Sequence, residues 1–375
     1  MMGSRKRVIR VIALSLLAFS GASFADVSCT GTNNSFADTV SLNGSSITVG
    51  DDTPDGTVVY NAVYIANGYV GLICSPNTYT LQNWVGYDST PMPLSPWSSG
   101  TLGGKVYQTN VPGIGALVTG TTSYGSISGA VFPRLEATYR YTDGAGNNFG
   151  HAYQLWLIKT GPVSAGAVNG AILPSVRSYI PATSGFTGLP LTIGTLKFSG
   201  SINIVKGTCS ASDVTVDLGR HDLTEFSGVG STTAWKDAAI ILTNCSQFHG
   251  TYGSSNSTVR LTGSGSLPTG TPNGNIFNVY LQPTSDEVLD ASRGILNISA
   301  PNGKTAAVGF GIEIGWGKAA GSPTTFDFNS AKSFAAPSNG NPIIAIPLAA
   351  RYIQTQSQVM PGIANGRVTF IVDYM

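Results

Sequence analysis

The feature that most constrains the fold is a repeated alternation of apolar with small or polar residues. It is clearest over residues 308–316, where valine, phenylalanine, two isoleucines and tryptophan alternate with glycine and glutamate. Successive side chains of a β-strand point to opposite faces, so this pattern predicts a strand with one buried face. Similar runs predict further strands at residues 135–141, 196–205, 214–218, 279–281 and 368–374.

Turn-forming residues separate these runs, and helical periodicity is hard to find. The chain has 47 glycines and 20 prolines in 375 residues, and only 10% of its residues are charged, against roughly 25% in typical domains. Many short strands between turn signals are typical of β-sandwiches. The fold class we expect is all-β, and the length suggests two sandwich domains of ~150 residues each.

The first 25 residues have the features of a secretory signal peptide. Four basic residues between positions 5 and 10 precede an apolar run from Val11 to Phe19. This run is too short to span a bilayer, which takes ~20 residues. Small residues at Ser23 and Ala25 suit signal peptidase, so we expect cleavage after Ala25 and export of the remaining chain.

The charge and residue inventory argue against several function classes. After cleavage the chain has 16 basic and 19 acidic residues without a basic cluster, so we expect no nucleic-acid partner. Three histidines and the lack of GxSxG or HExxH motifs argue against an enzyme. Asp51, Asp52 and Asp55 could hold calcium, but their spacing lacks the EF-hand pattern and favours a solvated turn. We therefore expect no cofactor and no metal.

Four cysteines in an exported chain favour disulfide bonds, and four cysteines allow three pairings. Cys29 and Cys74 are 45 residues apart, Cys209 and Cys245 are 36 apart, and 135 residues separate the two pairs. The simplest pairing is one bridge in each domain.

We place the domain boundary just before the second cysteine pair. The expected order is a signal peptide at 1–25, a first domain at 26–205 and a second domain at 206–375. The alternative assigns residues 196–205 to the second domain as its first strand, and the sequence leaves this open.

The C-terminal part carries several specific features together. It has CSASDVTVDLG at residues 209–219, Asn244-Cys245, and IPLAARY at residues 346–352. Tyr374 is the penultimate residue of the chain and Gly362 lies fourteenth from its end. With the alternating residues Val368, Phe370 and Val372, these features resemble a chaperone-usher pilin domain over residues 209–375.

The resemblance implies an immunoglobulin-like sandwich that lacks its final strand. Another polypeptide then fills an apolar groove by β-strand addition. The expected partners are a periplasmic fimbrial chaperone, the outer-membrane usher and the next fimbrial subunit, which donates a strand. The chain ends at Met375 without a further strand, so we expect Gly362, Val368, Phe370, Val372 and Tyr374 to form the chaperone and donor-strand interface.

A folded domain before a pilin domain is similar to the two-domain tip adhesins of such fimbriae. The segments at 106–115 and 161–166 also resemble the type 1 fimbrial, mannose-binding adhesin family. The resemblance implies a fimbrial tip adhesin at the bacterial surface that attaches the cell to a receptor, with a glycan as the first expectation. A collagen-type matrix-binding adhesin and a non-binding structural subunit are the alternatives. We expect no mannose specificity, because Asp26 replaces an aromatic residue and residues 181–188 lack carboxylates and amides.

Sugars are bound by amide and carboxylate groups together with an aromatic face. The best such cluster is Asn83, Trp84, Tyr87 and Asp88, although a tryptophan in a sandwich is more often part of the core. A second cluster is the segment 143–148, with Asn147 and Asn148, near His151. Its simpler interpretation is a hairpin turn.

Overall fold

The protein is described by a computed structural model. It describes residues 27–32, 34–76, 78–120, 132–142, 144, 146–261, 263–267 and 270–375. The expected signal peptide lies outside these residues. The regular secondary structure of the described residues is almost entirely β-strand, with three single-turn 3₁₀ segments at Gly170–Ile172, Leu223–Glu225 and Ala319–Gly321.

We call residues 27–207 the N-terminal half and residues 208–375 the C-terminal half. The strands of the N-terminal half are β1 (Val27–Gly31), β2 (Phe36–Gly50), β3 (Val58–Ala66), β4 (Val70–Ser75), β5 (Tyr79–Ser89), β6 (Tyr107–Gln108), β7 (Ile114–Gly120), β8 (Arg134–Tyr141), β9 (Gly146–Phe149), β10 (Ala152–Lys159), β11 (Gly166–Asn169), β12 (Ser175–Ile180), β13 (Phe186–Thr187) and β14 (Leu191–Gly207).

The strands of the C-terminal half are β15 (Ser210–Ala211), β16 (Lys236–Asp237), β17 (Ile240–Thr243), β18 (Tyr252–Leu261), β19 (Ser264–Ser266), β20 (Ile276–Gln282), β21 (Val288–Asp290), β22 (Ile295–Leu296), β23 (Phe310–Trp316), β24 (Thr324–Thr325), β25 (Lys332–Ala335), β26 (Ile344–Ile346), β27 (Leu348–Gln354) and β28 (Thr369–Tyr374).

Two sheets pack face to face in the N-terminal half. Their strand orders are β19-β2-β14-β12-β5-β8, with β11 also paired to β14, and β18-β3-β10-β7-β6. Apolar residues from the inner faces of both sheets form one core cluster, to which Ile47, Leu155 and Leu196 contribute fully buried side chains. A smaller sheet, β13-β1-β4-β9, packs beside it and contains the Cys29–Cys74 disulfide.

Strand β10 is buried on both faces, which explains its nearly continuous apolar sequence. Leu155 and Leu157 point into the main core, whereas Trp156 and Ile158 point to the opposite face. There they pack against Leu102 and Val106 from the connection between β5 and β6. This connection therefore covers the outer face of the β10 sheet.

The C-terminal half is a second sandwich with its own core. Its sheets have the orders β15-β17-β26, β16-β27-β23-β22-β21 and β25-β20-β28, and β24 also pairs with β23. Fully buried Phe277 and Phe326 are among the core side chains, and Cys209–Cys245 is the disulfide of this half. Both disulfide pairings expected from the cysteine spacing are confirmed, and so is the all-β fold with two sandwiches.

Strands β18 and β19 of the C-terminal half pair with the N-terminal half, and we call these two strands the arm. Strand β18 runs parallel to β3, and β19 runs parallel to β2. Tyr252 in the arm and Leu267 after it are buried in the N-terminal core. The buried carboxylate of Asp38 accepts a hydrogen bond from the Gly263 N–H at 2.7 Å. The arm thus covers an edge of each large N-terminal sheet.

The close approach of β18 to β3 gives a testable prediction. A Cβ at Gly253 would lie 1.9 Å from the carbonyl oxygen of Val58, so Gly253→Ala must displace the arm. We expect the free energy of unfolding to fall by about 1–3 kcal/mol in urea denaturation. Gly274→Ala is the matched control, because its Cβ would meet no atom within 4 Å, and its effect should stay within ~0.5 kcal/mol. Equal stability of the two variants would contradict this packing of the arm.

Most strands expected from the alternating pattern are confirmed as β8, β14, β20, β23 and β28. The predicted strand at 214–218 is wrong, because this segment forms no strand and pairs with no strand among the described residues. The domain boundary stays a prediction. Strand β14 pairs with β2, β11 and β12, so residues 196–205 lie in an N-terminal sheet here.

Candidate functional site: an open groove beside the last strand

Strand β28 is the edge of its sheet. It pairs with β20 on one side, and no strand of the described residues pairs with its other side. An unpaired edge presents backbone N–H and C=O groups to any strand that can align with it. One edge of β28 is therefore free to pair with a further strand.

The register shows which residues present these groups. Ile276 and Met375 exchange both backbone hydrogen bonds at 2.9 Å. In an antiparallel pair the direction of the backbone groups alternates along the strand. Asp373 and Ile371 therefore face β20, whereas Val372 and Phe370 direct their N–H and C=O groups to the open side.

The same alternation sorts the side chains. Val368, Phe370, Val372 and Tyr374 pack against the core cluster of the C-terminal half. Ile371 points to the other face and is 39% exposed. The residues with free backbone groups are thus those whose side chains face the core.

A groove of about 710 Å³ lies between β28 and the segment 213–218. Val368 and Phe370 form one wall, and Val214, Val216 and Leu218 form the other. Val214 is 39% exposed although it belongs to an apolar wall. Aliphatic core side chains line the floor: Ile240, Leu281, Leu296, Ile312, Ile314 and Leu348.

Charged groups occur at the rim of the groove. Asp213, Glu287 and Arg367 line it, and the Arg367 guanidinium donates a hydrogen bond to the Glu287 carboxylate. This contact lowers the pKa of the Glu287 carboxyl. The interior is apolar, so an occupant needs apolar side chains at alternate positions and polar ones only at its ends.

The N-terminal half closes the groove at the Tyr374 end. The N–H of Tyr374 points to the open side of β28 and donates to the Asp52 carboxylate at 3.0 Å. A Cβ at Gly50 would lie 1.9 Å from the Tyr374 carbonyl oxygen, so only glycine fits at this contact. The backbone groups left for an incoming strand therefore end at Val372.

Asn275 also holds the end of β28 against the N-terminal half, and we call this contact region the junction. It is 5% exposed, and its side-chain N–H groups donate to the carbonyl oxygens of Thr48 at 3.0 Å and Met375 at 3.2 Å. Its carbonyl oxygen accepts from the Gly250 N–H at 2.9 Å. One buried amide thus joins β2, the end of β28 and the turn that leads into the arm.

Part of the chain matches a known protein family. Residues 196–375 match the family described as fimbrial protein, and we call the C-terminal half the fimbrial half. The chain is also 27% identical over 186 residues to the fimbrial subunit type 1 of Salmonella typhimurium, which covers 48% of this chain and 82% of that protein.

Two solved structures are similar to the chain. The CupB6 tip adhesin from Pseudomonas aeruginosa has a TM-score of 0.34 and 15% identity, and the match covers 92% of this chain and 94% of that one. The receptor binding domain of the plasmid-born adhesin MrkD1P of Klebsiella pneumoniae has a TM-score of 0.31 and 21% identity, covering 49% and 98%. Both TM-scores are below 0.5, so we infer nothing about function from them.

Gly362, expected at the strand interface of the fimbrial half, does not line the groove. A Cβ there would lie 2.4–2.6 Å from backbone atoms of Ala306 and Ala307, so the position is close-packed against another segment. Val368 and Phe370 do line the groove, and Val372 and Tyr374 share their strand and face. The role of these residues in binding a partner strand stays a prediction.

The first predicted ligand cluster lies on β5, but its members differ in access. Asn83 is 4% exposed and its Oδ1 accepts from the Ser178 hydroxyl at 3.0 Å, so a ligand could not reach it. Tyr87 is half-buried against Tyr107 and Phe132, and burial raises its pKa. Asp88 is exposed at the end of the strand.

Trp84 lies on the outer face of its sheet. Its indole N–H donates to Gln82 at 3.1 Å, and Tyr179 on β12 lies directly opposite. The Arg177 guanidinium stacks 4.6 Å above the Tyr179 ring. Sequence reasoning missed Tyr179 and Arg177, because the pairing of β12 with β5 joins residues ~90 positions apart.

The second predicted cluster is in another sheet. Asn147 and Asn148 lie on β9, which pairs with β4, whereas the preceding β8 pairs with β5. The connection between them therefore crosses between sheets, and the hairpin interpretation is wrong. Asp143 and Ala145 lie outside the described residues. His151 is buried, with its Nε2 3.4 Å from the Tyr64 hydroxyl and 3.6 Å from the Asp38 carboxylate, so it belongs to the interior.

The three aspartates considered for calcium each bind a different partner. Asp51 pairs with Lys206 and Asp55 with Lys159, both at 2.7 Å, and Asp52 accepts from Tyr374. Within the described ranges, no group of three His, Cys, Asp or Glu side chains is placed to hold a metal ion.

No helix in the described part of the chain is long and apolar enough to cross a membrane.

The closed end of the groove gives a second prediction. Burial, and then the charge of Asp52, raise the pKa of Asp373. Asp52→Asn keeps a hydrogen-bond acceptor for Tyr374 but removes the charge, so the pKa of Asp373 should fall part of the way to its ordinary value. Carboxyl titration by NMR measures this.

Asp51→Asn is the matched control for this experiment. It removes a neighbouring carboxylate that pairs with Lys206, and it should leave the pKa of Asp373 where it is in the native chain. An unchanged pKa in the Asp52→Asn variant would contradict the contact between Asp52 and the end of β28.

Proposed function

We propose that this protein is a tip adhesin of a chaperone-usher fimbria, exported through the periplasm and displayed at the bacterial cell surface. The N-terminal half carries the receptor-binding surface. The fimbrial half anchors it by accepting a strand from the next subunit. The proposal that the two halves are separate functional domains, with a boundary near residue 206, belongs to this assignment.

The open groove carries the proposal. An extended segment with alternating apolar residues would place its apolar side chains on the floor of the groove. Its backbone would pair with the free N–H and C=O groups of Phe370 and Val372. β-strand addition uses main-chain hydrogen bonds for affinity and side-chain pockets for specificity. During export a periplasmic chaperone supplies the strand, the usher exchanges it, and a neighbouring subunit then supplies the permanent one.

The position at the tip is supported by the residues that connect the two halves, because they are already paired within an N-terminal sheet. A subunit inside a fimbria donates an N-terminal segment to its neighbour. Here the residues that lead into the fimbrial half belong to β14, which pairs with three N-terminal strands up to Gly207. The fimbrial half has no such segment to donate, so it accepts a strand and ends the fibre.

The proposed receptor is a host or surface glycan. Of the ligand residues predicted from sequence, all except Asn83 are at least partly accessible: Trp84, Tyr87, Asp88, Asn147 and Asn148. A collagen-type matrix protein is the alternative receptor. A binding screen of the full-length chain against glycans and matrix proteins separates the two.

Two neighbouring residues of β28 provide the test of the anchoring mechanism. Phe370→Ser removes an apolar side chain from the groove wall, whereas Ile371→Ser changes the exposed face of the same strand. Burying a phenylalanine contributes about 1.5–3 kcal/mol, so Phe370→Ser should weaken capture by the chaperone about tenfold or more. Ile371→Ser should leave capture within about twofold.

The measurement is the amount of complex recovered from the periplasm when each variant is co-expressed with the chaperone of its own fimbrial system. Thermal unfolding of the purified variants checks that both fold. Equal recovery of the two complexes would contradict strand addition at this groove. Immunoelectron microscopy that places the protein along the shaft would contradict the tip position.

A further inference from the structure

We propose that the N-terminal half binds a neutral sugar residue in a pocket formed by Trp97 and Asp55. This inference rests on the proposed adhesin function and names the site and the ligand class. The pocket has a volume of about 300 Å³ and lies between two loops, residues 51–57 and 90–106. It is separate from Trp84, which lies on the outer face of the other large sheet.

Trp97 forms one wall and is held firmly. Its backbone N–H donates to the Ser95 hydroxyl at 3.2 Å, and its backbone carbonyl oxygen accepts from the Gly104 N–H at 3.1 Å. A Cβ at Gly56 would lie 2.9 Å from the indole ring, and Gly56 has φ +93°, so the ring lies directly against a glycine backbone. One part of the indole packs on the buried cluster around Trp156, and the remainder faces the pocket. The indole N–H donates no hydrogen bond within the described part of the chain.

Asp55 supplies the charged acceptor. Its Oδ1 accepts from Lys159 Nζ at 2.7 Å, which orients the carboxylate and leaves Oδ2 for a ligand. The Lys159 side chain is only 5% exposed, whereas that of Asp55 is 44% exposed. The backbone adds support, because the Gly56 N–H donates to the Lys159 carbonyl oxygen at 2.7 Å. The positive charge is thus buried behind the pocket, and the carboxylate faces solvent.

Three hydroxyl-bearing residues complete the lining: Thr57, Ser99 and Thr101. An aromatic face for the C–H side of a sugar ring, with a carboxylate and hydroxyls for its polar edge, is the combination that carbohydrate recognition requires. The volume is at the lower end of the range for ligand sites and suits one or two rings. Because the exposed charge is a carboxylate, the site favours neutral hexoses and N-acetylhexosamines over sialylated or uronic sugars.

The test uses the purified full-length chain on an array of neutral and sialylated glycans, followed by titration with the best neutral sugar. Trp97→Ala should weaken binding about tenfold or more, because an aromatic wall is lost. Ser99→Ala combined with Thr101→Ala should weaken it about threefold or more, and these exposed changes leave the core intact. Ser98→Ala is the matched control and should leave affinity within about twofold, because Ser98 is exposed beside the pocket without lining it. Trp84→Ala reports on the alternative site on the other sheet.

The outcomes separate this inference from the adhesin function. Loss of neutral-glycan binding in the Trp97 and hydroxyl variants, with Ser98→Ala unchanged, supports the pocket. Glycan binding that depends on Trp84, or a preference for sialylated sugars, overturns it and leaves the adhesin intact. Binding to a matrix protein alone, unaffected by any of these changes, overturns the pocket and moves the adhesin to a protein receptor. No binding to either class counts against both proposals.

Discussion

The open edge of β28 is the constraint on which the rest of the structure depends. A strand that pairs on one side only leaves backbone groups unpaired, and here the edge borders an apolar groove. Such an arrangement is an aggregation hazard unless another strand covers it. Here the position is open, and the residues of β28 whose backbone groups are unpaired are also those whose side chains face the core. This arrangement is the basis of the proposed strand addition.

Two other strands that would lie at sheet edges, β3 and β2, are covered by a further strand. The arm of the C-terminal half covers β3 and β2, and Asp38 anchors the turn between its two strands. Gly50, Asp52 and Asn275 then join the N-terminal half to the end of β28. The two halves are therefore joined by the arm and by this junction as well as by the chain that continues from β14.

Local signals made the individual elements predictable. Period-two alternation identified β23 and β28, because each has one face on the core, and cysteine spacing identified both disulfides. The segment 214–218 has the same alternation but no partner strand among the described residues, since it borders the groove. The alternation of apolar and polar residues indicates which side chains are buried. It does not indicate whether the backbone is hydrogen-bonded to a neighbouring strand.

Long-range placement could not be read from the sequence. Strand β18 is rich in small polar residues, and nothing in it indicates a partner ~190 residues earlier. Asn83 appeared to be a ligand-binding amide, yet Ser178 satisfies it in the interior. Trp97 and Asp55 lie 42 positions apart in the sequence but line the same pocket. Lys159 holds the Asp55 carboxylate, and Gly56 lies against the Trp97 ring.

Amide hydrogen exchange along β28 tests the open edge most directly. In the free full-length chain the account predicts slow exchange at Ile371 and Asp373, which face β20, and fast exchange at Phe370 and Val372, which face the groove. Tyr374 should exchange slowly because Asp52 accepts its N–H. When a peptide of alternating valine and threonine fills the groove, Phe370 and Val372 should become protected. Uniform protection of all five amides in the free chain would contradict an open edge at this strand.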